Sequence, residues 1–172
     1  RHLRDNDEVL LADLDETYEL LEQMIRAASA PYRSRRVHLG MDEAFGVGVG
    51  EHLRRFGYED PHSVIGRHLS RVLEITDKYG LQAMMWSDMY FHLDGSDYHS
   101  GGMPSQKARD AVDPRITLVY WDYYQNQEEK YADALEKHAQ FPAPTVFAGG
   151  LWTWIGPAPS YTNAIENTVP GL

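Results

Sequence analysis

Cysteine is absent from the 172-residue chain, which excludes a disulfide framework and any metal site built on thiolates. Long apolar runs are absent too, since no stretch approaches the roughly 20 residues that a membrane-spanning helix needs. The first five residues lack the apolar segment of a signal peptide. From these absences we expect a cytoplasmic protein with no membrane partner.

Basic residues are scarce. Sixteen Lys and Arg stand against 26 Asp and Glu, which gives a net charge of −10. Nucleic acids and anionic membrane surfaces would repel such a chain. We therefore expect no nucleic-acid partner, and a small neutral or cationic molecule as the ligand.

The chain is too short for a complete α/β barrel of about 250 residues, but it is long enough for one domain, residues 1–172, with a sizeable core. Four short apolar runs alternate with stretches of helical periodicity, a pattern that predicts βαβ units and a parallel sheet. The predicted strands are residues 37–41, 81–87, 116–120 and 145–148. The predicted helices are residues 15–30, 51–56, 61–79, 105–111 and 127–139, with another starting near 161 and with Asp15 and Asp60 as N-caps.

Two adjacent carboxylates, Asp42 and Glu43, follow the first predicted strand. A lone Asp-Glu pair is most often a solvated turn. At the carboxyl end of a parallel strand, however, the strand fixes such groups and the following loop leaves room for a substrate. Neighbouring strand residues point to opposite faces, so the pair can share one pocket only where the pleat breaks.

Every predicted strand ends in similar chemistry. Tryptophan or a carboxylate, or both, follows each apolar run: Asp42 and Glu43, then Trp86 and Asp88, then Trp121 with Asp122, and finally Trp152 and Trp154. Any single tryptophan could equally be a packing residue at the sheet edge. Four similar strand ends favour a shared pocket, in which indole rings cover the apolar face of a sugar and carboxylates accept hydrogen bonds from its hydroxyls.

The glycine-rich segment 45–50 follows the carboxylates directly. Its Gly-x-Gly-x-Gly pattern admits a phosphate-cradling loop, but it lacks both the spacing of a dinucleotide fingerprint and a Walker lysine. A flexible loop beside the site is the favoured interpretation.

The motif His38-x-Gly40-x-Asp42-Glu43, followed by an apolar residue, resembles the signature of glycoside hydrolase family 20, the β-N-acetylhexosaminidases. The later tryptophans extend the resemblance over most of the chain. It implies a (β/α)8 TIM-barrel segment of about four parallel strands with alternating helices, corresponding to barrel strands four to seven. The remaining strands would come from parts of the chain that are missing here.

The resemblance also implies a mechanism, the substrate-assisted exception among retaining glycosidases. Glu43 would be the general acid and then the general base, and Asp42 would orient the 2-acetamido group that attacks the anomeric carbon. A tyrosine, Tyr123 or Tyr124, would donate to the acetamido oxygen. The implied substrate-binding residues are His38, Trp86, Asp88, Trp121, Tyr123, Tyr124, Trp152 and Trp154, the substrate is a small carbohydrate, and neither cofactor nor metal is expected.

Two other functions stay open. A metal-dependent barrel enzyme could use His38, Asp42, Glu43, Asp88, His92 and His99 as oxygen and nitrogen ligands. A non-catalytic fragment could bind sugar through its aromatic rings without cleaving it. A histidine on a strand such as His38 is also as often buried in the core as it is part of a site.

Overall fold

The computed structural model describes residues 2–172, and Arg1, the first residue of the predicted domain, lies outside them. Four parallel strands form one open sheet in the order β1-β2-β3-β4, which confirms the predicted fold class. Their bounds are β1 (Arg36–His38), β2 (Gln82–Trp86), β3 (Thr117–Trp121) and β4 (Thr145–Ala148). Because each strand pairs only with its neighbours in sequence, β1 and β4 each keep one unpaired edge among the described residues.

Helices connect and cover the strands. Their bounds are α1 (Asp15–Ser29), α2 (Glu51–Phe56), α3 (Pro61–Lys78), α4 (Asp88–His92), α5 (Gln106–Asp110), α6 (Glu128–His138) and α7 (Tyr161–Asn163), the last continued by a π-helical turn (Ala164–Thr168) and a 3₁₀ turn (Val169–Gly171). The one-turn helix α4 was not predicted. Within residues 2–172, no helix has the length and apolar character to cross a membrane.

Of the two predicted N-caps, one closes its helix with a side-chain hydrogen bond and the other does not. Asp60 accepts a hydrogen bond from the His62 N–H at 3.1 Å, and Pro61 occupies the first turn of α3, where the missing proline N–H leaves no helical bond unmade. The predicted cap Asp15 is wrong: Leu14 is the N-cap, and no side-chain bond closes it. Asp15 instead starts the first turn and pairs with Arg71 at 2.7 Å.

The core lies between α3 and the sheet. Leu69, Met85 and Leu118 are fully buried there, and burial of each such side chain stabilises the fold by about 1.5–3 kcal/mol. Strand β3 buries the consecutive residues Leu118, Val119 and Tyr120, as expected for a parallel strand that is covered on both faces. The sheet is therefore rigid where β2 and β3 carry their terminal residues to the edge.

Strand β1 is shorter than the predicted 37–41. Leu39 still donates its N–H to the Met84 carbonyl at 2.7 Å, but Gly40 and Met41 have φ values of +74° and +67°. These left-handed conformations are incompatible with extended pairing. The pleat therefore breaks just before Asp42.

The glycine-rich segment 45–50 is neither a phosphate cradle nor an unanchored loop. The carboxylate of Asp5, which is buried, accepts the Gly48 N–H at 2.7 Å and the His52 N–H at 2.6 Å. The Asp5 carbonyl accepts a further bond from Glu51. Because Asp5 already uses the Gly48 N–H, this donor is not free for a phosphate, and Asp5 anchors the segment at Gly48 and at the start of α2.

We expect Gly50→Ala to lower the free energy of unfolding by about 1–3 kcal/mol, the usual cost of overpacking. A Cβ at position 50 would lie 2.0 Å from the Asp5 carbonyl oxygen, so the backbone would have to shift to admit it. The measurement is urea unfolding. Gly102→Ala is the control, because a Cβ there meets no atom within 4 Å and should change stability by less than about 0.5 kcal/mol. Equal stability of the two variants would contradict the tight turn.

Candidate active site

The carboxyl ends of β1, β2 and β3 meet at one edge of the sheet, and Asp88 links them there. It is the first residue of α4, directly after β2, and is 4% exposed. Its Oδ2 accepts the Glu43 N–H at 2.8 Å and its Oδ1 accepts the Trp121 Nε1–H at 3.5 Å. Burial raises the pKa of Asp88, although these two hydrogen bonds oppose the rise. Asp88 thus ties the acidic turn to the neighbouring indole.

The turn that carries Asp42 and Glu43 has an unusual backbone. Met41 and Glu43 are non-glycine residues with φ of +67° and +45°, a conformation that costs about 1–3 kcal/mol and persists only where surrounding contacts enforce it. The Asp88 bond to the Glu43 amide is one such contact. Both carboxylate side chains are exposed, so the broken pleat presents them to solvent at the edge.

Tyr123, which follows β3, has a raised pKa. Burial is the largest cause of its raised pKa, the Tyr124 hydroxyl adds to it, and the negative charges of Glu43 and Asp42 contribute further. A phenol with a raised pKa stays protonated and remains a hydrogen-bond donor. The charges of the acidic turn after β1 thus act on a tyrosine that follows β3.

An aromatic cluster, which consists of Trp121, Tyr123, Tyr124, Trp152 and Trp154, continues from this point. Trp121 stacks on Tyr123 with ring centroids 5.5 Å apart, and Tyr123 contacts Trp154 at 4.8 Å. Trp152 and Trp154 stack at 5.5 Å, and the Trp152 indole donates to the Tyr123 carbonyl at 3.1 Å. The tryptophans after β4 thus join those after β3 in one continuous surface.

Trp86 and His38 form a separate pair beside the acidic turn. Their ring centroids are 4.4 Å apart, and Nδ1 of His38 accepts the Gly40 N–H at 3.1 Å. The pKa of His38 lies below its usual value because packing desolvates the ring, an effect that the Asp42 charge partly offsets. His38 is exposed, so its interpretation as a core histidine is wrong. Within residues 2–172, Trp86 makes no ring contact with the aromatic cluster.

The role of Asp122 was not predicted from the sequence, in which it is one more carboxylate at a strand end. Asp122 is fully buried and accepts hydrogen bonds from the Tyr120 hydroxyl at 3.0 Å and the Tyr124 N–H at 2.9 Å. Burial alone would raise its pKa, but the hydrogen bonds, with that from His99 the largest, lower it. The alternation of the strand was the available signal, because Asp122 lies two residues after the buried Tyr120 and shares its face.

Beneath the aromatic cluster lies a buried polar chain that the sequence did not reveal. His138 donates from Nδ1 to the Ala134 carbonyl at 2.7 Å, so its Nε2 accepts from the Ser87 hydroxyl at 2.8 Å. Ser87 Oγ lies 2.7 Å from the Tyr98 hydroxyl, which accepts the Trp121 N–H at 3.1 Å. These hydrogen bonds hold the long segment between β2 and β3 against the ends of both strands.

We expect the free energy of unfolding to fall as pH drops from about 6.5 towards 4. Burial lowers the pKa of His138 to about 4, whereas an unfolded histidine titrates near 6.5. The unfolded chain therefore binds more protons than the folded one in this range. For one such histidine, the free energy of unfolding should be about 2 kcal/mol lower at pH 5 than at neutral pH. Urea unfolding at pH 7, 6 and 5 measures it. In His138→Gln the decline should be shallower, and an unchanged slope would contradict the assignment.

The six potential metal ligands do not form a metal site. Among residues 2–172, no three His, Asp or Glu side chains are close enough together to hold an ion. His92 ends helix α4 and packs edge-on against Phe45 at 4.4 Å, while His99 pairs with Asp122 at 3.0 Å. His92 is exposed, and His99 is partly exposed.

The comparisons with known proteins concern the fold. No family model and no curated protein matches the sequence. Among solved structures, the chain is similar to a family 20 exo-β-N-acetylglucosaminidase from Vibrio harveyi, solved with N-acetylglucosamine, at 21% identity and a TM-score of 0.54 over 86% of this chain and 20% of that chain. It is also similar to a β-N-acetylhexosaminidase from Bacteroides fragilis, at 14% identity and a TM-score of 0.50 over 95% of this chain and 30% of that chain.

These two enzymes are far longer than the chain, which spans only 20–30% of their length. At such low identity the likeness is one of architecture. This chain has four parallel strands with flanking helices. The chain has the fold of a fragment of a TIM barrel like those of family 20 glycoside hydrolases.

Proposed function

We propose that the chain is part of the catalytic barrel of a glycosidase that removes terminal β-linked N-acetylhexosamine. One observation carries the proposal. The turn that carries the adjacent carboxylates is joined, through the Glu43 N–H and Asp88, to the indole of Trp121. This turn lies at the edge of a parallel sheet, where barrel enzymes gather their catalytic groups. The glycosidase-like fold of the solved neighbours supports it.

In this proposal Glu43 protonates the leaving oxygen and then, as a base, activates water. A retaining enzyme usually sets two carboxyl groups about 5 Å apart across the sugar, an arrangement that suits neighbours on one turn poorly. In the glycosidase family that the sequence resembles, the acetamido oxygen of the substrate is the nucleophile instead, and we propose the same role here. Asp42 orients the acetamido group and balances the positive charge that grows on its nitrogen.

We assign the hydroxyl donor to Tyr123 in preference to Tyr124. Both carboxylate charges act on Tyr123, and its ring stacks on Trp121. Tyr124 instead packs edge-on against His99 at 5.5 Å and Trp152 at 5.5 Å. Its place on the outer side of the aromatic cluster favours a role in the wall of the sugar site.

Unfilled space at the β1 edge supports the view that further barrel strands complete the protein. A cavity of about 310 Å³ opens there, lined by Asp42 and otherwise mostly by apolar side chains that include Leu39 and Met41. A second, of about 200 Å³, is lined by Leu21, Met24 and Val37. Apolar side chains beside an unpaired strand edge are suited to cover by another strand and helix.

The experiment is release of 4-nitrophenol from its N-acetyl-β-glucosaminide and N-acetyl-β-galactosaminide, with the chain alone and with the longer protein that contains it. We expect turnover of at least one substrate by the longer protein. If both proteins bind N-acetylglucosamine and neither turns over a substrate, the result would instead favour a sugar-binding module. The exposure of Asp42 and Glu43 on an open sheet is compatible with this alternative. Activity that a strong chelator abolishes would favour metal chemistry.

A further inference from the structure

His99 and Asp122 form a carboxylate–histidine pair at the border of the aromatic cluster. Nδ1 of His99 donates to Asp122 Oδ2 at 3.0 Å. The carboxylate is fully buried, whereas the His99 side chain keeps 24% of its surface exposed. One partner is thus an internal anchor, and the other reaches solvent.

Both oxygens of Asp122 accept hydrogen bonds within the protein, and the side chain is fully buried, so a substrate does not reach it. Besides His99, it accepts hydrogen bonds from the Tyr120 hydroxyl, from the Tyr124 N–H and from Gln125 at 3.3 Å. These bonds lower its pKa, so it is ionised at neutral pH. An ionised acceptor holds the proton of a neutral histidine on Nδ1 and leaves Nε2 as an acceptor.

The exposed edge of His99 is the one that carries Nε2, because Nδ1 faces the buried carboxylate on the opposite side of the ring. Within residues 2–172, His99 Nε2 has no hydrogen-bond partner. The ring stands edge-on to Trp121 at 5.2 Å and to Tyr124 at 5.5 Å. The ring that carries this unpaired nitrogen therefore packs beside the indole that also donates to Asp88.

We propose that His99 is a sugar-binding residue that accepts a hydrogen bond through Nε2 from a hydroxyl of the N-acetylhexosamine, and that Asp122 is the positioning residue that orients it. The inference rests on the proposed function. A pyranose packed on an indole directs its hydroxyls outward around the ring. An acceptor at the border of the indole, such as His99 Nε2, meets them there.

His99→Asn separates the two roles of the ring, which are the Nδ1–H bond to Asp122 and the acceptor at Nε2. An asparagine amide can take the place of Nδ1–H and keep the bond to Asp122, but it places no nitrogen where Nε2 was. We expect the Kd for methyl N-acetyl-β-glucosaminide, measured by calorimetry, to rise about tenfold, the scale of one lost hydrogen bond. The melting temperature should stay at the wild-type value, whereas His99→Ala should lose both affinity and melting temperature.

His62→Asn is the matched control. His62 is also paired with a carboxylate, that of Asp94 at 3.1 Å, but it makes no contact with the aromatic cluster within residues 2–172, so the Kd should not change. Wild-type affinity in His99→Asn would overturn the inference, as would a melting temperature as low as that of His99→Ala. A wild-type protein that binds no sugar would remove the proposed function and this inference together, whereas the first two results leave the proposed function standing.

The positioning role of Asp122 has its own readout. Nitrogen-15 NMR of the labelled ring should show the proton of His99 on Nδ1 in the wild-type protein. In Asp122→Asn the side-chain amide can donate as well as accept, so a mixture of both tautomers is expected together with a higher Kd. A pure Nδ1–H form with unchanged affinity in that variant would overturn the positioning role.

Discussion

Replacing Glu43 with glutamine is expected to lower turnover of an N-acetyl-β-glucosaminide by at least about 100-fold, the scale of a lost acid/base group. Glutamine keeps the size of the side chain but has no proton to give and none to take. The Kd for the substrate should stay within about threefold of wild type. The exposed carboxylate of Glu43 makes no hydrogen bond that holds the turn, because the bond to Asp88 is donated by the backbone N–H of Glu43, so the site should keep its shape. Steady-state kinetics and calorimetry on the protein that contains the chain measure both quantities.

The leaving group sharpens this test. When the substrate is a disaccharide, the second sugar is a poor leaving group that needs the proton of Glu43. Dinitrophenolate leaves from an aryl glycoside without a proton. The loss of turnover should therefore be larger for the disaccharide than for the dinitrophenyl glycoside. Glu74→Gln, on the exposed side of α3, is the control and should retain full turnover. An equal loss on the two substrates, or none, would remove Glu43 from the role of acid.

Replacing Asp42 with asparagine is expected to lower kcat/KM for an N-acetyl-β-glucosaminide by about 100-fold, which corresponds to about 2.7 kcal/mol of transition-state stabilisation. The positive charge that grows on the acetamido nitrogen would lose its ionised partner, and charge-assisted bonds are the strong ones. A thiazoline analogue of N-acetylglucosamine, which imitates the cyclised acetamido group, should bind the variant more weakly by a similar factor.

Two comparisons test the specificity of that effect. The matching β-glucoside lacks the acetamido group, so any hydrolysis of it should be much less affected by Asp42→Asn. Asp7→Asn, at an exposed position of the N-terminal segment, should behave as wild type. An equal loss on both sugars would instead assign Asp42 to maintenance of the left-handed turn at Met41 and Glu43.

The sheet was predictable because its strands are short, apolar and evenly separated by helical patterns. Helix α3 shows how local the signal is, since Asp60 and Pro61 fix its start and the buried face repeats every three to four residues. Helix α4 gave no such signal. It is a single turn, and the consecutive buried residues Met89, Tyr90 and Phe91 have no helical period to detect.

The sequence predicted which residues lie at the strand ends of the site. It did not predict which of them bond to one another. The sheet order alone brings Asp42, Trp121 and Trp152 to one edge. The bond from Glu43 to Asp88 spans 45 residues, and that from Gly48 to Asp5 spans 43. Neither leaves a trace in local sequence, because each depends on how separate loops pack once the sheet has formed.

The two unpaired sheet borders have a practical consequence for handling this polypeptide. Each border presents a row of backbone donors and acceptors, and the one at β1 adjoins uncovered apolar side chains. Such borders template pairing with other chains. Purified without a covering segment, the polypeptide should self-associate as its concentration rises, so binding studies call for dilute samples or for the longer protein.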